Sequence, residues 1–116
     1  MYQITNEIAT HGIGEDIHPL PWTKRRLGMI NGWKIYDVRF LSDLGEDNSL
    51  ALYALTIKDV CSYLAHDKVV ICCGAGQSRS NAIAIGVLVY EAMWNYWDAF
   101  ELVKKKVPIS NIDPSH

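Results

Sequence analysis

Long apolar runs are missing from this sequence, and none of its segments approaches the roughly 18 consecutive apolar residues that a membrane span needs. The opening stretch MYQITNEIAT also lacks the basic start and long apolar core of a signal peptide, so the cytoplasm is the expected location and no membrane partner is expected. Cysteine is scarce: Cys61, Cys72 and Cys73 form an odd set with two members adjacent. That set suits neither a disulfide framework nor the paired CxxC spacing of a zinc site, so free thiols are expected, with no metal and no cofactor. Excess positive charge is absent too, because the formal net charge is -2, and nucleic acid is not an expected partner. Internal repeats, low-complexity tracts and linkers are likewise missing, so the 116 residues read as one compact domain, 1–116.

What is present is an alternation of strand-like and helix-like segments. Tyr2 to Ile8 reads as a first strand, and GIGEDIHPLPW as a loop broken up by Gly and Pro. Lys24, Arg25 and Arg26 form a short basic cluster, read as a solvated face. WKIYDVRF, Trp33 to Phe40, alternates apolar and polar residues as a second strand would. The acidic loop LSDLGEDN follows, and then a helix capped by Asn48 or Ser49, on which Tyr53, Ile57, Val60, Cys61 and Leu64 share one face. Cys61 on that face is a small core hydrophobe.

After Lys68 the run VVICC has the β-branched look of a buried parallel strand, Val69–Cys72. From Ser80 or Asn81 to about Trp94 the chain is apolar on nearly every side, as a central buried helix is. Asn95 caps a last helix, YWDAFELVKKK, whose terminal lysines suit a helix C-terminus. The order implies an α/β fold: a small, mostly parallel sheet flanked by helices, with a loop between Cys72 and a buried helix.

That loop, CCGAGQSRS, carries the chemistry. GAGQSR begins like the dinucleotide fingerprint GxGxxG, but Arg79 stands where the third glycine belongs, and the nucleotide loop GxxxxGK[ST] lacks its glycine-lysine pair. Cys73 and Arg79 instead form CxxxxxR. Between a strand and a helix, the loop N–H groups of Gly74, Ala75, Gly76, Gln77 and Ser78 can converge on one anion at the helix N-terminus. Arg79 can grip two phosphate oxygens with its planar fork. The field that binds phosphate also stabilises a thiolate, which makes Cys73 a nucleophile.

Attack of Cys73 on phosphorus expels an alcohol or phenol that needs a proton, and hydrolysis of the resulting cysteinyl phosphate needs a carboxylate to activate water. Asp37, Asp43, Glu46 and Asp47 are the candidates. Asp37 lies within the second strand and is the least suited, whereas the other three lie on the loop after it.

CCGAGQSRS resembles the HCxxGxxRS signature of the cysteine-dependent protein phosphatases, and its SRS ending most resembles the dual-specificity group. The order of elements from about Ile35 to Lys106 is similar as well, and YQIT resembles the family's first strand. The resemblance implies a protein-tyrosine-phosphatase-like fold and a phosphorylated protein or peptide as substrate. It implies Cys73 as nucleophile, Arg79 as phosphate clamp and Ser80 as a hydrogen-bond partner of the sulfur that helps it leave. Asp43 is implied as general acid, with Asp47 in reserve.

Two departures accompany the resemblance. Cys72 stands where the family usually has histidine, and its expected role is in the core. The chain also stops at DPSH, where a final helix often follows in the family, so the site is expected to be shallow enough for phosphoserine and phosphothreonine as well as phosphotyrosine. Two other readings stay open: a non-protein substrate (a phosphoinositide, a nucleotide or an RNA 5' phosphate), and a phosphate-binding pseudophosphatase. No lysine lies between Cys73 and Arg79 to hold extra phosphates, although Lys24, Arg25 and Arg26 would supply charge if they reached the rim.

Overall fold

The computed structural model describes residues 1–13, 17–41, 49–74 and 78–108. Its first strands are β1 (Tyr2–Gln3) and β2 (Ile8–Gly12), which pair antiparallel with Tyr2 opposite Thr10. The continuous strand expected over Tyr2 to Ile8 is therefore two strands. Thr5 causes the break: its hydroxyl oxygen accepts the N–H groups of Glu7 and Ile8 at 3.2 and 3.1 Å, a side-chain turn that competes with extended backbone.

A 3-10 turn over Trp22–Lys24 leads into a second hairpin, β3 (Arg26–Ile30) and β4 (Trp33–Asp37). Asn31 and Gly32, both at positive φ (50° and 85°), make the two-residue turn whose twist matches paired strands. β4 ends at Asp37 rather than Phe40. Asp37 Oδ1 accepts the backbone N–H of Arg39 at 2.9 Å, which turns the chain out of the sheet.

The remaining elements are helix α1 (Ser49–Leu64), strand β5 (Lys68–Cys73), helix α2 (Ser78–Glu91) and helix α3 (Tyr96–Lys106). The five strands form one sheet in the order β1-β2-β5-β4-β3. β5 is parallel to both of its neighbours, while the outer pairs are antiparallel, so the sheet is mixed rather than mostly parallel.

Among the described residues the three helices gather over one face of this sheet. There Tyr36, Val69, Ile71 and Cys73 join Val60, Ile83, Val87, Leu88 and Val103 in a single buried cluster. Burying each large side chain of this kind stabilises the fold by roughly 1.5–3 kcal/mol. The opposite face carries a smaller cluster of Ala9, Trp33, Val70 and Cys72. Lys68 lies over the Trp33 ring at 4.7 Å.

α2 is apolar all round because it packs against β2 and β5 on one side and against α1 and α3 on the other. A Cβ at Gly86 would collide with Ile57, so the missing side chain sets the close approach of α1 to α2. The helix stops three residues before Trp94, where Met93 adopts a left-handed φ of 59° and the Trp94 N–H returns to the Leu88 carbonyl at 3.1 Å. Asn95 then caps α3 as expected, its side chain accepting the Trp97 N–H at 2.9 Å.

Candidate active site

The three parallel strands end together, with Gly12 opposite Cys73 and Asp37 opposite Cys72. Ligands of open α/β sheets bind at such carboxyl ends. Side chains alternate along a strand, so Cys72 and Cys73 point to opposite faces: Cys73 toward the helices, Cys72 into the small cluster beside Trp33.

Burial pushes the Cys72 thiol up to about 12, and the negative charge of Asp37 adds to the effect. Cys72 is therefore a neutral thiol at physiological pH and serves the core. Cys61 is also buried and, with Glu91 nearby, is pushed up to about 11.

Cys73 is the last residue of β5, and only four residues separate it from the first turn of α2. That turn holds Ser78, Arg79 and Ser80, whose N–H groups precede any intrahelical partner, at the positive end of a 14-residue helix. Cys73 Sγ lies 3.3 Å from Ser80 Oγ, and both residues are buried. A hydroxyl at this distance can donate to a thiolate and stabilise it.

Arg79 folds back toward the strand end, with Nη2 3.4 Å from where a Cβ on Gly74 would stand. Its Nη1 donates to two backbone carbonyls, those of Arg39 and Leu41, at 2.9 Å each. A guanidinium has five N–H donors, so Nε and Nη2 lie outside those two bonds and form an edge that can meet an oxyanion. Gly74 thus lies beside the Arg79 guanidinium, and Ser78 opens α2. Ala75, Gly76 and Gln77 lie outside the described residues, as do Asp43, Glu46 and Asp47.

Asp37 is the one acid candidate whose surroundings are visible. It is fully buried and held by Arg39, with Nε to Oδ1 at 3.0 Å and Nη2 to Oδ2 at 3.1 Å, and by the Leu20 N–H at 3.2 Å. Burial alone would push this carboxyl up, but the hydrogen bonds from Arg39 and Leu20 outweigh it and hold Asp37 below the usual carboxylate range. A carboxylate so engaged has no proton to give near neutral pH.

The basic cluster is the solvated face expected of it at Lys24 and Arg26 but not at Arg25. Arg25 is 5% exposed, and its guanidinium carbon lies 3.5 Å from the centroid of the Phe40 ring, because the turn at 38–41 folds Phe40 over it. Lys24 and Arg26 remain exposed, with Arg26 lying 5.3 Å from the Tyr63 ring. Arg39 escaped the sequence reading, although the D-x-R spacing of Asp37 and Arg39 was there to suggest a local pair.

Among the described residues no cluster of three or more His, Cys, Asp or Glu side chains could hold a metal ion, and no helix is long and apolar enough to cross a membrane. The chain matches no family model and no curated protein.

Proposed function

We propose that the protein is a cysteine-dependent phosphomonoester hydrolase of the dual-specificity, protein-tyrosine-phosphatase-like type, acting on phosphotyrosine, phosphoserine and phosphothreonine in proteins of the cytoplasm. The observation that carries the reading is the convergence of three groups on one strand end: the Cys73 sulfur, the Ser80 hydroxyl 3.3 Å from it and the Arg79 guanidinium folded over Gly74. A thiol, a hydroxyl and a guanidinium at a helix N-terminus make an anion site with a nucleophile at its base.

In the proposed reaction the Cys73 thiolate attacks phosphorus and the P–O bond to the leaving group breaks. The departing oxygen takes a proton from Asp43, or from Asp47 in its place. Arg79, through Nε and Nη2, holds two of the equatorial oxygens, where charge spreads in the transition state. The same carboxylate then takes a proton from water as that water attacks the cysteinyl phosphate. Ser80 donates to the departing sulfur and makes the thiolate a better leaving group. Phosphate is released and the thiolate restored.

The test is phosphate release from p-nitrophenyl phosphate and from a panel of phosphopeptides, phosphoinositides and nucleotides, in excess chelator, with Cys73→Ser as blank. Release from phosphopeptides, blocked by low micromolar vanadate, is the expected result. Turnover confined to the lipids or nucleotides would move the substrate assignment. Phosphopeptide binding without any turnover would make the protein a phosphate-binding module.

A further inference from the structure

Arg79 is held by groups that the chemistry does not use. Its Nη1 is fixed by the carbonyls of Arg39 and Leu41, so the backbone of 39–41 decides where the clamp stands. That backbone is fixed in turn by the pair just before it. Asp37 takes both the backbone N–H and the guanidinium of Arg39. Arg39 Nη1 also donates to the Ile17 carbonyl, and Nη2 to that of His18 at 3.3 Å. On the sheet side, Asp37 N–H bonds the Arg25 carbonyl at 3.0 Å and Val38 N–H the Cys72 carbonyl at 2.8 Å.

Stability is a poor explanation for such a pair. Taking two charges out of water is so unfavourable that apolar replacements of buried ion pairs are often neutral or stabilising. What the pair does is fix one short segment of chain against the sheet, two residues before the first carbonyl that Arg79 touches. We infer that Asp37, acting through Arg39, is a positioning residue for the Arg79 clamp: the Asp37–Arg39 pair pins the carbonyls that hold Arg79 Nη1, so that its Nε and Nη2 edge is presented to phosphate in advance. The inference rests on the phosphatase reading above. Preorganisation of this kind raises affinity and rate, because a long, flexible side chain need not be ordered when substrate arrives.

Asp37→Asn tests it, beside Val60→Ala as a control that destabilises the shared core without altering the Asp37–Arg39 pair, all assayed where circular dichroism shows the variants folded. The first readout is binding without turnover: inorganic phosphate protecting Cys73 from iodoacetate. The expected result for Asp37→Asn is a phosphate dissociation constant raised about tenfold and kcat/KM lowered about 30-fold, by the same factor for phosphotyrosine and for the activated p-nitrophenyl ester, because the clamp acts on the phosphoryl group. Val60→Ala should lower the melting temperature and leave phosphate affinity at the wild-type value.

Folded Asp37→Asn with wild-type phosphate affinity would overturn the inference, and so would a loss restricted to poor leaving groups, which would make Asp37 an acid. If Asp37→Asn does not fold, Arg39→Lys carries the same criteria with the charge kept and the fork removed. A wild type that neither releases nor binds phosphate would sink the phosphatase reading and this inference with it. A working wild type beside an unaffected variant would sink the inference alone.

Discussion

Cys72 and Cys73 are consecutive residues of one strand, both about 1% exposed, yet they sit in opposite chemical surroundings. Cys72 faces Ala9, Val70 and Trp33 near the Asp37 carboxylate, which reinforces the neutral thiol. Cys73 faces the helices, with Ser80 within hydrogen-bond reach and the N-terminus of α2 five residues on. The side-chain alternation of a strand is enough to separate an inert thiol from a candidate nucleophile. Equal exposure therefore does not tell the two apart; what differs is the face of the sheet and the groups met there.

The comparison breaks most visibly on replacement of the sulfur itself. Cys73→Ser should abolish phosphate release, by at least about 10³-fold, with the fold retained in circular dichroism. A residual rate near wild type would remove Cys73 from the nucleophile role.

Next in size is the pair that lies beside Cys72. Asp37→Asn removes the carboxylate that the buried Arg39 guanidinium holds through Oδ1 and Oδ2 and should lower stability at pH 7 in urea unfolding, by up to about 3–5 kcal/mol. Because the native Asp37 carboxyl is depressed, its contribution is fully present above its unfolded pKa of about 4 and is lost as pH falls below that toward the native value. The gap between wild type and Asp37→Asn should accordingly narrow on acidification below pH 4, and a gap that widens there would contradict the ion pair.

In the proposed reaction, Asp43→Ala should slow phosphotyrosine hydrolysis by about 10²-fold while sparing an ester whose leaving group needs no proton. Equal losses for both would remove Asp43 from the acid role and turn attention to Asp47. The smallest effect belongs to Cys72→Val, an apolar replacement of similar size among Ala9, Trp33 and Val70. It should change the melting temperature by no more than a few degrees, a stability change under about 1.5 kcal/mol, and leave phosphate release within about threefold of wild type.

Much of this arrangement was legible beforehand where a local signal decides the outcome. The spacing of Tyr53, Val60 and Cys61 gave α1, the Asn95 cap gave the start of α3, and strand alternation separated the two cysteines. The hairpin β3–β4 was legible only at its turn, Asn31–Gly32, because β3 is exposed throughout and its register shifts between Arg26 and Gly28, so RLGMI lacks the alternation that marks a strand. The burial of Arg25 depends on Phe40, and the parallel registers of β5 join Val69 to Ile8 and Lys34. Such long-range choices leave no periodic mark. The bond between Arg79 and the 39–41 carbonyls is of the same kind, since it joins residues about 40 positions apart.

The strand order carries a consequence for how the chain is made. β5 lies between β2 and β4, so the two hairpins that leave the ribosome first have nothing between them until residues 68–73 emerge and take the middle place. A lone two-stranded ribbon is at best marginally stable, so β2 and β4 gain a firm place only when β5 pairs with both, and β3, with Leu27, Met29 and Ile30 exposed, remains the edge strand. The insertion that completes the sheet also brings Cys73 to the strand end, and Ser80 and Arg79 reach the thiol only when α2, which follows β5 in the chain, packs against it.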